Sequence, residues 1–234
     1  MVPRLDELAK TIDVTLPGPT ASDEDVDRVC EEARELHLAS VSLPPSHVRR
    51  ATDLLRGCDV KVAAVVGLPL GGDRPRAKIA TAERCLADGA GELEVVLNVG
   101  AMLAGDFRLV RDELRALAQA VRMRGANSGR GRVIIKVVLE TARLDDKRKK
   151  LGCKIVEAAD ADFVQTSTGY DGGYATVHDV ELLRECLSES VGVKASGGIE
   201  SAADAYAMLN AGAGRVGTAD AAQILSSPPV REPV

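Results

Sequence analysis

Eight short runs rich in Val and Ile alternate with amphipathic, charge-bearing stretches along this chain, and that alternation is its strongest constraint. The runs are Ile12–Thr15, Ser40–Pro44, Val60–Gly67, Glu92–Val99, Val133–Glu140, Phe163–Thr168, Gly192–Gly197 and Arg215–Thr218. Strands separated by helical stretches build βαβ units and a parallel sheet. Eight such units in 234 residues predict an α/β fold, a single (β/α)8 TIM barrel. The spacing predicts helices over Ser22–Leu36 and Asp106–Arg124, with Ser22 three residues before Asp25 as a capped start. Aromatic residues make up only 2% and Trp is absent, so Val, Leu, Ile and Ala must fill the core.

The barrel is expected over residues 1–226. A short polar loop is expected at Asn127–Arg132, and a loose tail with three prolines over 227–234. Few rings and a net charge of -5 argue against a nucleic-acid partner. No run of about 18 apolar residues predicts a membrane span, and Met1–Lys10 lacks the apolar middle of a signal peptide. Five cysteines without a close pair fit reduced thiols, with Cys153 and Cys186 inert in helices. The expectation is a cytoplasmic protein that binds a small molecule and self-associates, most simply as a dimer.

Glycines fall where barrel strands end: Leu68-Pro69-Leu70-Gly71-Gly72, Gly169–Gly173 and Gly197-Gly198. Glycine there lets backbone amides approach a ligand, at the face that carries the site in barrels of this type. Tyr170 and Tyr174 flank Asp171-Gly172-Gly173 in the loop after the sixth strand, placed either to cover a substrate or simply to pack it. His37, His47 and His178 lie far apart without carboxylate spacing for a metal, so no metal or cofactor is expected. Arg143–Lys150, with Asp145 and Asp146 near its start, reads as the solvated face of a helix.

Several segments, in order from about residue 8 to 225, resemble the deoxyribose-phosphate aldolase family. They include Ile12-Asp13-Val14-Thr15-Leu16, Val65–Gly71, Glu92–Asn98, Ile134–Thr141 and Ala211–Thr218. The most specific are Phe163-Val164-Gln165-Thr166-Ser167-Thr168-Gly169 and Val193-Lys194-Ala195-Ser196-Gly197-Gly198-Ile199. The resemblance implies metal-free cleavage of 2-deoxyribose 5-phosphate to acetaldehyde and glyceraldehyde 3-phosphate. It implies a sixth-strand lysine that forms an imine, a seventh-strand lysine that keeps that amine neutral, and a fourth-strand aspartate that moves protons.

Residue by residue, the imine position holds Gln165, whose amide lone pair is delocalised and cannot form an imine. Glu94 stands at the aspartate position. Lys194 matches the seventh-strand lysine, Lys136 a fifth-strand lysine, and Asp13 and Thr15 polar first-strand residues. Ser42 stands where a cysteine is frequent. After the eighth strand Gly217-Thr218-Ala219-Asp220 replaces Gly-Thr-Ser-Ser, and Leu16-Pro17-Gly18-Pro19 lacks a lysine common there. If Asp220 faces the pocket, it would repel a contacting phosphate by about 4 kcal/mol at an effective dielectric near 20.

Candidate catalytic residues are therefore Glu94, Lys194, Gln165, Lys136 and Asp13. Candidate substrate contacts are Thr15, Ser42, Thr168, Gly169, Ser196, Gly197, Gly198, Gly217, Thr218 and Asp220, with the start of the helix at Ser201 as a further source of amides. The leading expectation is acid–base chemistry on a small oxygenated carbonyl compound, with weakened phosphate recognition. Gln165 would hydrogen-bond the substrate, Lys194 would stabilise an oxyanion, and Glu94 with Asp13 would move protons. One alternative moves the imine to Lys194 or Lys136, and another is an inactive relative that binds a metabolite or partner. A purely structural alternative pairs Lys136 and Lys194 with Glu94, Asp13 and Glu140, those of strand five sharing one face by alternation.

Overall fold

The computed structural model describes residues 5–16, 20–128 and 131–226. Eight parallel strands close in sequence order into a barrel: β1 Ile12–Thr15, β2 Ser40–Leu43, β3 Lys61–Val66, β4 Glu92–Val96, β5 Ile134–Val138, β6 Phe163–Gln165, β7 Gly192–Ser196 and β8 Arg215–Thr218. Helices intervene: α1 Leu5–Ala9, α2 Asp23–Glu35, α3 Val48–Leu54, α4 Pro75–Asp88, α5 Val99–Ala104, α6 Phe107–Ser128, α7 Asp146–Ala158, α8 Val177–Cys186, α9 Ala202–Asn210 and α10 Ala221–Ser226. The expected tail at 227–234 and the first-loop residues 17–19 lie outside the described residues. No helix among the described residues is long and apolar enough to cross a membrane.

Period-two alternation divides each strand between two environments. Val14, Val41, Leu93, Val95, Ile135, Val137, Val164, Val193 and Val216 join the large apolar cluster that includes the helices' buried faces. The alternate positions hold Asp13, Ser40, Ser42, Glu92, Glu94, Lys136, Gln165 and Lys194, all buried. A small separate apolar cluster, Val65, Val96 and Val138 with Leu68, sits among these polar positions. The hydrophobic core thus lies between strands and helices, while the lumen carries charge.

Capping matches the sequence pattern. Ser22 and Asp25 form a reciprocal capping box at α2, and Asp145 caps α7 by accepting from the Arg148 amide. Six strands are shorter than expected, because the chain turns into the loop before the apolar run ends. Conversely, α6 continues through Ser128, so the expected loop at Asn127–Arg132 begins inside a helix. Arg122 ties that helix to Asp160 and Asp162, and Gly125 lets it pass close to Val133.

Candidate active site

Register places Glu94 beside Lys136, and Gln165 beside Lys194, which in turn neighbours Arg215. The lumen is barely wide enough for side chains to fill, so these groups meet across it. Lys136 Nζ lies 2.5 Å from Asp13 Oδ2, 2.7 Å from Glu92 Oε2 and 3.4 Å from Glu94 Oε1. Lys194 Nζ lies 2.6 Å from Glu94 Oε1 and 3.0 Å from Asp13 Oδ2. Arg215 closes the base, 2.5 Å from Asp13 Oδ1 and 3.0 Å from Glu92 Oε1. Three carboxylates face three cations.

Burial alone would push the Asp13 carboxyl up, but the combined fields of Lys136, Lys194 and Arg215 outweigh it and hold it far below the usual range. Glu94 shows the same balance: burial raises it, and Lys194 and Lys136 bring it down on net. Lys136 is the mirror case. Burial disfavours its charge, yet Asp13, Glu94 and Glu92 together lift its pKa above the ordinary lysine value. Asp13, Glu94, Lys136 and Arg215 are therefore ionised at neutral pH.

One expectation about this network needs correction. Glu140 is not a partner of the lysines. Strand β5 ends at Val138, Glu140 adopts left-handed backbone at φ 56, and its Oε1 accepts the Thr168 amide at 2.8 Å. Strand alternation stops applying once the strand has ended. Glu92 and Arg215, which sequence reasoning missed, take its place. Both were within reach of the alternation argument, Glu92 lying two residues before Glu94 and Arg215 two before Gly217 on their strands.

Gln165 donates from Nε2 to the Ser167 carbonyl at 2.9 Å. Its Oε1 is buried and has no hydrogen-bond partner among the described residues. The hydroxyls of Ser40 and Ser42 on β2 are in the same condition. Ser42 is fully buried in the lumen and does not line the cleft above.

Above the lumen, at the strand C-termini, a cleft of about 600 Å³ including its open mouth is lined by Thr15, Thr168, Gly169, Ser196, Gly197, Gly198, Gly217 and Thr218. Every one was an expected substrate contact. Tyr174, Ile199, Glu200 and Ala219 complete the lining. Gly197 and Gly198 have φ of 98 and 70, and side chains there would collide with the Gly173 carbonyl and the Tyr174 ring. Tyr174 thus lies against the cleft wall, whereas Tyr170 is not part of the lining. Thr218 Oγ1 donates to the Ile199 carbonyl at 2.9 Å and accepts from the Asp220 amide at 3.1 Å.

Asp220 is exposed and its carboxylate does not face this cleft; Oδ1 instead accepts the Gln223 amide at 2.8 Å, capping α10. The expected help from the start of α9 is also altered. Asp204 Oδ2 accepts the Ser201 amide at 3.0 Å and the Glu200 amide at 3.4 Å, while Ser201 Oγ accepts the Asp204 amide. The Ser201–Asp204 spacing was a legible capping box.

The fold also brings His178 together with Asp146 and Asp179, their ligand atoms within 4.8 Å of one another. Lys149 pairs with both carboxylates, at 3.3 and 2.6 Å, and is the cation of that cluster. Cys153 is buried in α7 with its thiol pushed up to about 12 by desolvation, as an inert thiol should be.

A DeoC/LacD family aldolase model matches residues 9–220. A deoxyribose-phosphate aldolase of Caldanaerobacter subterraneus subsp. tengcongensis is 43% identical over 93% of this chain and 92% of that protein. One of Brevibacillus brevis is 42% identical over 93% of this chain and 94% of that protein. Among solved structures, a deoxyribose phosphate aldolase from Aeropyrum pernix, described as having a unique tetrameric structure, superposes with a TM-score of 0.86 at 32% identity. That match covers 95% of this chain and 91% of the other.

Proposed function

The chain belongs to the DeoC/LacD aldolase family, and from that premise we propose that it acts on a small hydroxylated carbonyl compound by acid–base chemistry without an imine at position 165. The observation that carries this reading is the charge count around Gln165. Asp13, Glu92 and Glu94 are matched one for one by Lys136, Lys194 and Arg215. An amine attacks a carbonyl only with its electron pair free. A fourth cation beside Lys194 would exceed the carboxylates available, and the surplus amine would be driven neutral. With a carboxamide there, the count closes and no amine is in surplus.

The substrate's carbonyl end reaches down toward Lys194 and Glu94, and its other end rests in the cleft of Thr15, Ser196, Gly197, Gly198 and Thr218. Lys194 stabilises negative charge that develops on the carbonyl oxygen. Glu94, ionised beside it, accepts or returns the proton, and Asp13 holds both lysines in place. The free Oε1 of Gln165 accepts a substrate hydroxyl. Enolisation, dehydration or a non-covalent aldol step fits this set. Phosphate is held more weakly than where those amides are free, because Asp204 takes the Glu200 and Ser201 amides just ahead of α9. The protein works as a homo-oligomer, most simply a dimer, which sedimentation analysis checks directly.

The test compares the wild-type protein with Gln165→Lys. Each is incubated with 2-deoxyribose 5-phosphate, 2-deoxyribose or acetaldehyde, reduced with borohydride and weighed by mass spectrometry, alongside a cleavage assay. The wild type is expected to stay unmodified and Gln165→Lys to gain an adduct at position 165. A substrate-derived adduct on Lys194 or Lys136 of the wild type would overturn the proposal in favour of a relocated imine. Turnover by the wild type that survives Glu94→Gln would also defeat it. Ligand-induced thermal shifts with no turnover of any carbonyl compound would leave a binding protein on an aldolase scaffold.

A further inference from the structure

Resting on the reading of the mouth cleft as the substrate's site, we infer that Glu200 sets its charge preference and that the chain selects an unphosphorylated, polyhydroxylated carbonyl compound. Among the described residues that line the cleft, Glu200 is the one with an ionisable acid or base stronger than a phenol; no Lys, Arg or His is present. It sits exposed at the cleft's edge, immediately before the α9 cap.

A bound phosphate dianion needs compensation from a cation or from a group of unpaired amides, and helix N-termini commonly supply the latter. Several amides beside the cleft are already answered from within the chain. The Glu200 and Ser201 amides point to the Asp204 carboxylate, and the Gln223 amide of α10 is held by Asp220. Glu200 is thus the one full charge among the described residues of the lining, and it is negative. What the wall does offer is hydroxyl chemistry. Thr15 and Ser196 present hydroxyls, and Gly197 and Gly198 bring backbone close on one side. A neutral terminal hydroxyl can donate to a carboxylate and accept from a hydroxyl or amide, whereas a phosphate has no proton to donate and meets like charge.

The test reads binding, not turnover, so it is independent of how the chemistry proceeds. Calorimetric or NMR titrations of wild type, Glu200→Gln and Glu200→Lys use two probes, 2-deoxyribose and 2-deoxyribose 5-phosphate. The wild type is expected to bind the free sugar at least as tightly as its phosphate. Glu200→Lys should move the ratio of affinities at least tenfold toward the phosphate, and Glu200→Gln by a smaller factor in the same direction. Glu200 is exposed, so both variants should fold, which their unfolding curves verify. Three outcomes overturn the inference: a wild type that prefers the phosphate tenfold or more, a ratio that Glu200→Lys leaves unmoved, or no binding of the free sugar in the millimolar range. A reversed preference would leave the acid–base reading standing, and an imine on Lys194 would leave this inference standing.

Discussion

In the lumen, the carboxylates of Asp13, Glu92 and Glu94 are answered by cationic side chains from β5, β7 and β8. At the mouth a few residues higher, the half-buried carboxylate of Asp204 and the exposed one of Asp220 are answered by backbone amides. The difference follows from burial. A carboxylate with no water access needs a full opposite charge, and desolvation makes the pairing obligatory on both sides. Near solvent, amide dipoles suffice, and the same carboxylates order the loops by capping them. The lumen is consequently neutral and tightly coupled. The mouth is polar and net acidic, and each of its groups acts almost alone.

The sharpest way to break this comparison is to remove one cation from the lumen. Lys136→Met leaves three buried carboxylates facing two cations and should cost about 3–5 kcal/mol in urea unfolding. A cost below that of a mouth substitution would show that the lumen is not coupled as described. Next comes pH. Asp13 and Glu94 titrate below their unfolded values. Their contribution is therefore present above about pH 4, the unfolded carboxylate range, and is lost only as pH falls through the lower folded values. Lys136 titrates above its unfolded value. Its contribution is full below about pH 10, the unfolded lysine range, and is lost as pH rises through the folded value. Stability measured by thermal unfolding should therefore hold a plateau between these limits, and Lys136→Met should flatten the alkaline limb. The smallest effect is expected at the mouth, where Asp204→Ala should cost about 1 kcal/mol and, by freeing the Glu200 and Ser201 amides, strengthen inorganic phosphate binding. No change in phosphate binding would mean those amides do not face the cleft.

Much of this is legible in the sequence. Alternating apolar runs announced the eight strands, and the Ser22–Asp25 and Asp145 signals placed helix starts that the structure keeps. The motifs around Gln165 and Lys194, with the first- and eighth-strand segments, pointed to the lumen and to eight of the cleft residues. Errors came where the chain leaves a regular element. Glu140 was read as a strand residue although β5 had ended, and Asp220 as a pocket residue although it caps the next helix.

The eight strands, their buried outward faces and most of the polar lumen residues are readable in the sequence alone, because period-two alternation is a local property of the backbone. Which carboxylate meets which cation does not. Asp13 and Lys136 are 123 residues apart, and Asp13 and Arg215 are 202 apart, so their pairing exists only once the barrel closes and burial obliges each charge to find an opposite. The balance of three against three, and with it the meaning of a carboxamide at position 165, was decided by that closure.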